Sequence, residues 1–260
     1  MLNLTTAQIE TWIAQMVWPF VRIGSCLMVA PAFSVAQVPP RVRLVLALAI
    51  TALAAPQVPV PPGVPLVSAA GFLISFQQVV IGVMLGLCLQ LVFDAVNFAG
   101  QLMANTMGLS YAMTLDPVRG VSTPAVGQIY GIFVMLVFIA LNGHLRLIEL
   151  LAGSFHTIPL GVAGFGREGL WQAITWGEGL FSGALSIALP AMTALLIAQL
   201  AMGVISRTAP ALNLMAVGFP VTVIFGLAVL VVSVPTLGGA FERLLADGFA
   251  VLQALVKGGN

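Results

Sequence analysis

Charge is what this sequence most lacks. Its 260 residues carry nine Lys and Arg and eight Asp and Glu, 7% of the chain, where a soluble domain carries roughly a quarter. That is too little to solvate a water-facing surface, so lipid or protein must cover most of it. The few charges stand singly or in small groups, which excludes the clustered basic face that neutralises nucleic-acid phosphates. Cysteine is nearly absent. Cys26 and Cys88 lie inside apolar runs with neither metal spacing nor a disulfide framework, and they read as inert buried thiols. His144 and His156 are the only histidines, and neither has a Cys or a second His at ligand spacing. Packing or capping suits them, and no metal or cofactor is expected. Enzyme signatures are missing as well: no H-E-x-x-H, no G-x-S-x-G, no P-loop and no dinucleotide glycine fingerprint. Nor does the N-terminus read as a secretory leader, since no Lys or Arg precedes Arg22 and Glu10 stands where a basic region belongs.

What is abundant is apolar: 60% of the residues. Residues 44–93, 179–206 and 208–241 contain no charged side chain, and each interval holds the roughly 20 residues of a transmembrane helix. The runs are continuously apolar, without the alternation of a membrane barrel, so the expected fold is all-α. Helices are predicted over about 8–30, from Arg41 and Arg43 to Ala55, 66–107, 125–143, an amphipathic 144–157, 170–207 and 211–257. Five prolines between Pro56 and Pro65 exclude helix there and mark a linker. The 66–107 segment would run about 60 Å as one rod, so it must fold back, kink or leave the membrane. Pro190, Pro220 and Pro235 each predict a kink or break. The arginines are spread almost evenly, so no orientation emerges from loop charge. The whole reads as a multi-helix membrane-associated protein of kinked helical hairpins, one large domain or two small ones.

Within the 66–107 helix, Gln90, Asp94, Asn97, Gln101 and Asn105 recur at spacings that place them in one stripe. In hydrocarbon each unsatisfied polar group costs several kcal/mol, so the stripe must meet protein or water. It is either a pore-lining face or a helix seam, and Asp94 is also a candidate proton carrier. Glycine pairs at four-residue spacing, Gly82/Gly86, Gly127/Gly131 and Gly179/Gly183, permit close helix approach.

Several stretches in order carry a resemblance: Pro31-Ala-Phe33, Val38-Pro-Pro-Arg-Val-Arg43, Gly82-x-x-x-Gly86-Leu87, and Gly108-Leu-Ser-Tyr-Ala112 with Asp116-Pro117. Asn142-Gly-His144, Ser154-Phe155 with Pro159, Ala209-Pro-Ala-Leu-Asn213 and Val217-Gly-Phe-Pro220 complete the set. Together they resemble the FliR family of flagellar biosynthetic proteins, the R component of the type III export gate. The resemblance implies a noncatalytic subunit that forms a helical ring with FliP and FliQ around a channel for unfolded flagellar subunits. FlhB is a further implied partner, and the implied place is the bacterial inner membrane at the flagellar basal body, projecting to the periplasmic side. It also implies a FliP-like part with the start of the core over 1–123 and helical hairpins with a FliQ-like end over 124–260. Thr106–Ser122 corresponds to a loop that plugs the closed channel, with Met107, Gly108, Leu109, Ser110, Tyr111, Ala112, Met113, Asp116, Pro117 and Gly120 as its residues. Methionines supply deformable contacts and Gly108 and Gly120 supply hinges. Tyr111 stands where Phe is commoner in the family. The competing reading is a secondary transporter whose intramembrane charges are Asp94 and Arg22; a membrane enzyme comes third.

Overall fold

A computed structural model describes residues 6–35, 37–109, 125–161, 164–208 and 218–257. Among them the secondary structure is helical: α1 Thr6–Val29, α2 Pro40–Ala54, α3 Ala69–Thr106, α4 Ala125–Ala140, α5 Gly143–Thr157, α6 Arg167–Thr208 and α7 Phe219–Lys257. By length and composition α1, α3, α6 and α7 are each long and apolar enough to cross a membrane. Val126–Ala140 and Gly143–Thr157 pass that test only as a pair, with a 65° bend between them. The protein is an all-α, multi-helix membrane protein.

Local chemistry explains the helix ends. Pro40 opens α2 at the position where a missing N–H costs nothing. Ser68 caps α3: its Oγ accepts from the Gly71 N–H at 3.0 Å and donates to the Pro65 carbonyl at 2.7 Å. The proline-rich linker yields only a short 3₁₀ turn, Ala55–Gln57, before turning irregular. Asn142, with φ 55°, makes the turn into α5.

Two sequence expectations change. The 66–107 segment does not fold back, because α3 runs unbroken for 38 residues, about 57 Å. Pro190 and Pro235 lie inside α6 and α7 without interrupting either helix, and Pro220 is only the second residue of α7. An interior proline forfeits one backbone bond and crowds one carbonyl. A helix of about 40 residues keeps enough of its other bonds and packing to continue.

The chain contacts cluster into two units whose boundaries all fall inside helices. Unit one comprises residues through Leu91, Phe138–Gly177 and Asp247 onward. Its core joins Trp18, Ile23 and Leu27 of α1 with Ile81, Leu85 and Leu89 of α3 and Phe155 of α5. Gly82 and Gly86 make the α1–α3 contact: a Cβ on Gly82 would lie 2.2 Å from the Arg22 carbonyl, and one on Gly86 2.8 Å from that of Cys26. Unit two comprises Val92–Val137 and Glu178–Ala246. There Phe93 meets the edge of Phe241 at 5.4 Å and Phe98 that of Phe181 at 5.9 Å.

Candidate functional site

Unit one is organised around a buried charge. Arg22, midway along α1, is 0% exposed. Its Nε donates to Gln78 Oε1 of α3 at 2.7 Å. Nη1 donates to the carbonyl and hydroxyl oxygens of Ser154, each at 3.0 Å, and Nη2 to the Ile158 carbonyl at 2.8 Å. The guanidinium also lies 4.2 Å from the centre of the Phe155 ring. Ser154 and Ile158 form the last turn of α5, where the carbonyl end of a helix favours a cation. Arg22 therefore pins three helices, and its donors are spent on the protein itself. Around it, Gln15 Nε2 donates to the Ala55 carbonyl at 3.1 Å and Trp18 Nε1 to Ser75 Oγ at 3.2 Å. Trp176 Nε1 of α6 donates to the Cys88 carbonyl at 2.9 Å, and Arg146 lies 4.5 Å from the Phe249 ring centre. Cys26 and Cys88 are free and buried.

The polar stripe of α3 divides between the units: Gln90 belongs to unit one, and Asp94, Asn97, Gln101 and Asn105 to unit two. Gln90, Asp94, Asn97 and Gln101 are half-buried and Asn105 is exposed. Asn97 and Gln101 meet α4. A Cβ on Gly131 would lie 2.7 Å from Asn97 Oδ1, and one on Gly127 3.3 Å from the Asn97 carbonyl and 3.7 Å from Gln101 Cγ. One turn away, a Cβ on Gly100 would come within 2.7 Å of the Gly127 Cα. Glycine on both sides lets the two backbones touch, and the amide side chains cover the seam.

Of the loop residues implied by resemblance, Met107, Gly108 and Leu109 are described. Ser110, Tyr111, Ala112, Met113, Asp116, Pro117 and Gly120 lie outside the described residues. Gly108 ends α3 with φ 81°, a left-handed value that glycine adopts without penalty. The Gly108 N–H donates to the Asn105 carbonyl at 3.0 Å and the Leu109 N–H to that of Ala104 at 3.1 Å, the paired bonds of a Schellman cap. Met107 is fully buried, and a Cβ on Gly226 of α7 would lie 2.5 Å from its Cε. Gln199 Nε2 of α6 donates to the Thr106 carbonyl. The start of the loop is thus held by three elements of unit two.

Sequence reasoning found Arg22 but not its partners. Gln78 was one polar residue in an apolar run, and Ser154-Phe155 entered only as a motif. The contact of Tyr130 with Met103 and Ser233, described below, left no trace in sequence spacing. Among the described residues no group of three His, Cys, Asp or Glu side chains is placed to hold a metal.

Residues 13–248 match the family described as bacterial export proteins, family 1. The chain is similar to the flagellar biosynthetic protein FliR of Escherichia coli K12, 34% identical over 257 residues, 99% of this chain and 98% of that one. It is 36% identical over 256 residues to the flagellar biosynthetic protein FliR of Pectobacterium carotovorum, 98% of each chain. Its likeness to the surface presentation of antigens protein SpaR of Shigella flexneri is 27% over 151 residues, 58% of each chain.

Proposed function

Because the chain belongs to the bacterial export proteins, family 1, we propose that it is a noncatalytic, structural subunit of the flagellar type III export gate. On this reading it joins FliP and FliQ in a helical ring around the export channel. FlhB packs against that ring, and the assembly sits at the inner membrane of the flagellar basal body, projecting to the periplasmic side. Residues 1–123 carry the FliP-like part and 124–260 end in the FliQ-like part. The observation that carries the proposal is the near-complete coverage of flagellar relatives from end to end.

The internal chemistry supports it. Arg22 spends its donors on Gln78, Ser154 and Ile158, which leaves the transporter alternative without one of its two charges. Large apolar side chains such as Trp12, Phe72, Phe76, Phe181 and Val232 stand exposed along the helices, as lipid-facing and partner-facing surfaces require. Asn97 and Gln101 act in the α3–α4 seam. The segment beyond Leu109 closes the resting channel, with its stem fixed by Met107 and the Gly108 cap.

Deleting the gene in a flagellated bacterium is expected to abolish filament export, restored by a plasmid copy. Normal motility of the deletion strain would overturn the proposal. Replacing residues 110–122 with a short Gly/Ser linker is expected to raise ion leakage through the assembled gate. Unchanged conductance with assembly intact would remove the plug role.

A further inference from the structure

Unit two carries a polar notch in an otherwise apolar surface. A cavity of about 170 Å³ is lined by Tyr130 of α4, Ser186 and Pro190 of α6, and Ser233, Thr236 and Arg243 of α7. Its flanks are apolar and open: Leu189 is 47% exposed and Val232 78%. At its floor the Tyr130 hydroxyl lies 2.9 Å from Ser233 Oγ and 3.3 Å from Met103 Sδ.

The hydrogen-bond inventory of the notch is one-sided. Ser186 Oγ donates to the Gly183 carbonyl at 2.8 Å, and Thr236 Oγ1 to that of Ser233 at 2.7 Å. Their protons are turned inward, so the oxygens present lone pairs to the cavity. Pro190 adds another acceptor, because it has no N–H for the Ser186 carbonyl four residues earlier. A proline ring sits over the carbonyl it displaces, which places that oxygen on the notch side of α6. The site thus offers acceptors and, at its rim, the guanidinium of Arg243. Lipid tails can supply neither donors to the one nor acceptors to the other.

We infer that this notch is a water-filled pocket within the membrane-embedded protein. Water suits it because one molecule donates to the hydroxyl oxygens and the freed carbonyl while accepting from Arg243. Several waters fit in the volume. They satisfy the proline-interrupted turn of α6 at a depth where the neighbouring surface is dry. The inference rests on membrane residence and not on the export role, so its test stands apart from the deletion experiment.

The test uses single cysteines at Ser186→Cys, Thr236→Cys, Leu189→Cys and Val232→Cys in the full-length chain, expressed in motile cells so that only functional protein is scored. Open membrane fragments are treated with small cationic and anionic methanethiosulfonates, which attack thiolates and therefore need water at the thiol. The parent, whose two cysteines are buried, sets the background. The two notch cysteines are expected to react about tenfold faster than the two flanking ones. Arg243→Gln is expected to lower the anionic-to-cationic rate ratio at position 186 about threefold, the sign expected on losing a nearby positive charge. Notch cysteines no faster than that at 232 mean a dry, filled site and overturn the inference. Four equally fast positions mean a water-bathed face, and they overturn it too.

Discussion

Removing the charge at Arg22 tests how unit one is held together. In Arg22→Met the apolar stem survives and the guanidinium disappears. The Ser154 carbonyl still accepts from the Ile158 N–H at 2.9 Å, and the Ser154 hydroxyl still donates to the Leu151 carbonyl at 2.6 Å. Two acceptors lose their observed donor: Gln78 Oε1, on a residue 1% exposed, and the Ile158 carbonyl, on a residue fully buried. A stranded buried acceptor costs about 1–3 kcal/mol, so the variant is expected to lose roughly 2–6 kcal/mol. Against that stands only the relief of no longer burying a cation, and breaking a buried polar contact from one side generally costs more than removing both partners. The double variant Arg22→Met with Gln78→Leu removes one stranded group and is expected to recover about 1–2 kcal/mol. The assay is thermal unfolding of the purified protein or its complex in detergent, followed by fluorescence-detected size exclusion, alongside swarming motility. If Arg22→Met melts with the parent, or the double variant melts no higher than the single one, the pin is not what stabilises this unit. A variant of full stability but no export would instead assign Arg22 to the passage of cargo or ions.

Three further outcomes follow from the geometry. Gly100→Leu places a side chain against the Gly127 backbone, and it is expected to lower folded yield severely, while Phe98→Leu on the same helix leaves most of it; equal yields would refute the close seam. Gly108→Val forces a β-branched residue to φ 81° and is expected to cost about 1–2 kcal/mol, read as a lower melting temperature than that of Gly108→Asn. Maleimide labelling of Cys26 and Cys88 is expected only after denaturation, since both thiols are buried; rapid labelling of native protein would contradict that packing.

Much of the helix layout was legible because charge and proline act locally. Charge-free intervals marked α3, α6 and α7, and Pro39, Pro40 and the prolines from 56 to 65 bounded α2. The continuity of α6 and α7 through Pro190 and Pro235 was not legible, because neighbouring contacts and not local preference decide whether one lost bond ends a helix. The same holds for glycine. Spacing nominated three pairs alike, yet Gly82/Gly86 meets the backbone of α1, Gly127/Gly131 meets Asn97, and Gly183 meets only the Leu244 side chain. The buried arginine was visible as an anomaly, but its partners Ser154 and Ile158 lie 132 and 136 residues along the chain. No periodicity connects positions so far apart.

That separation bears on how the protein is made. Arg22 leaves the ribosome long before the turn of α5 that will receive it, and at about 5–20 residues per second the wait is roughly ten seconds. Throughout that interval α1 holds an unsatisfied cation near its middle, which raises the cost of entering a bilayer by about 2.5–3.5 kcal/mol. The first helix is therefore a poor independent insertion unit. It settles only when the hairpin end at Ser154 arrives, so the order of synthesis runs against the order of burial.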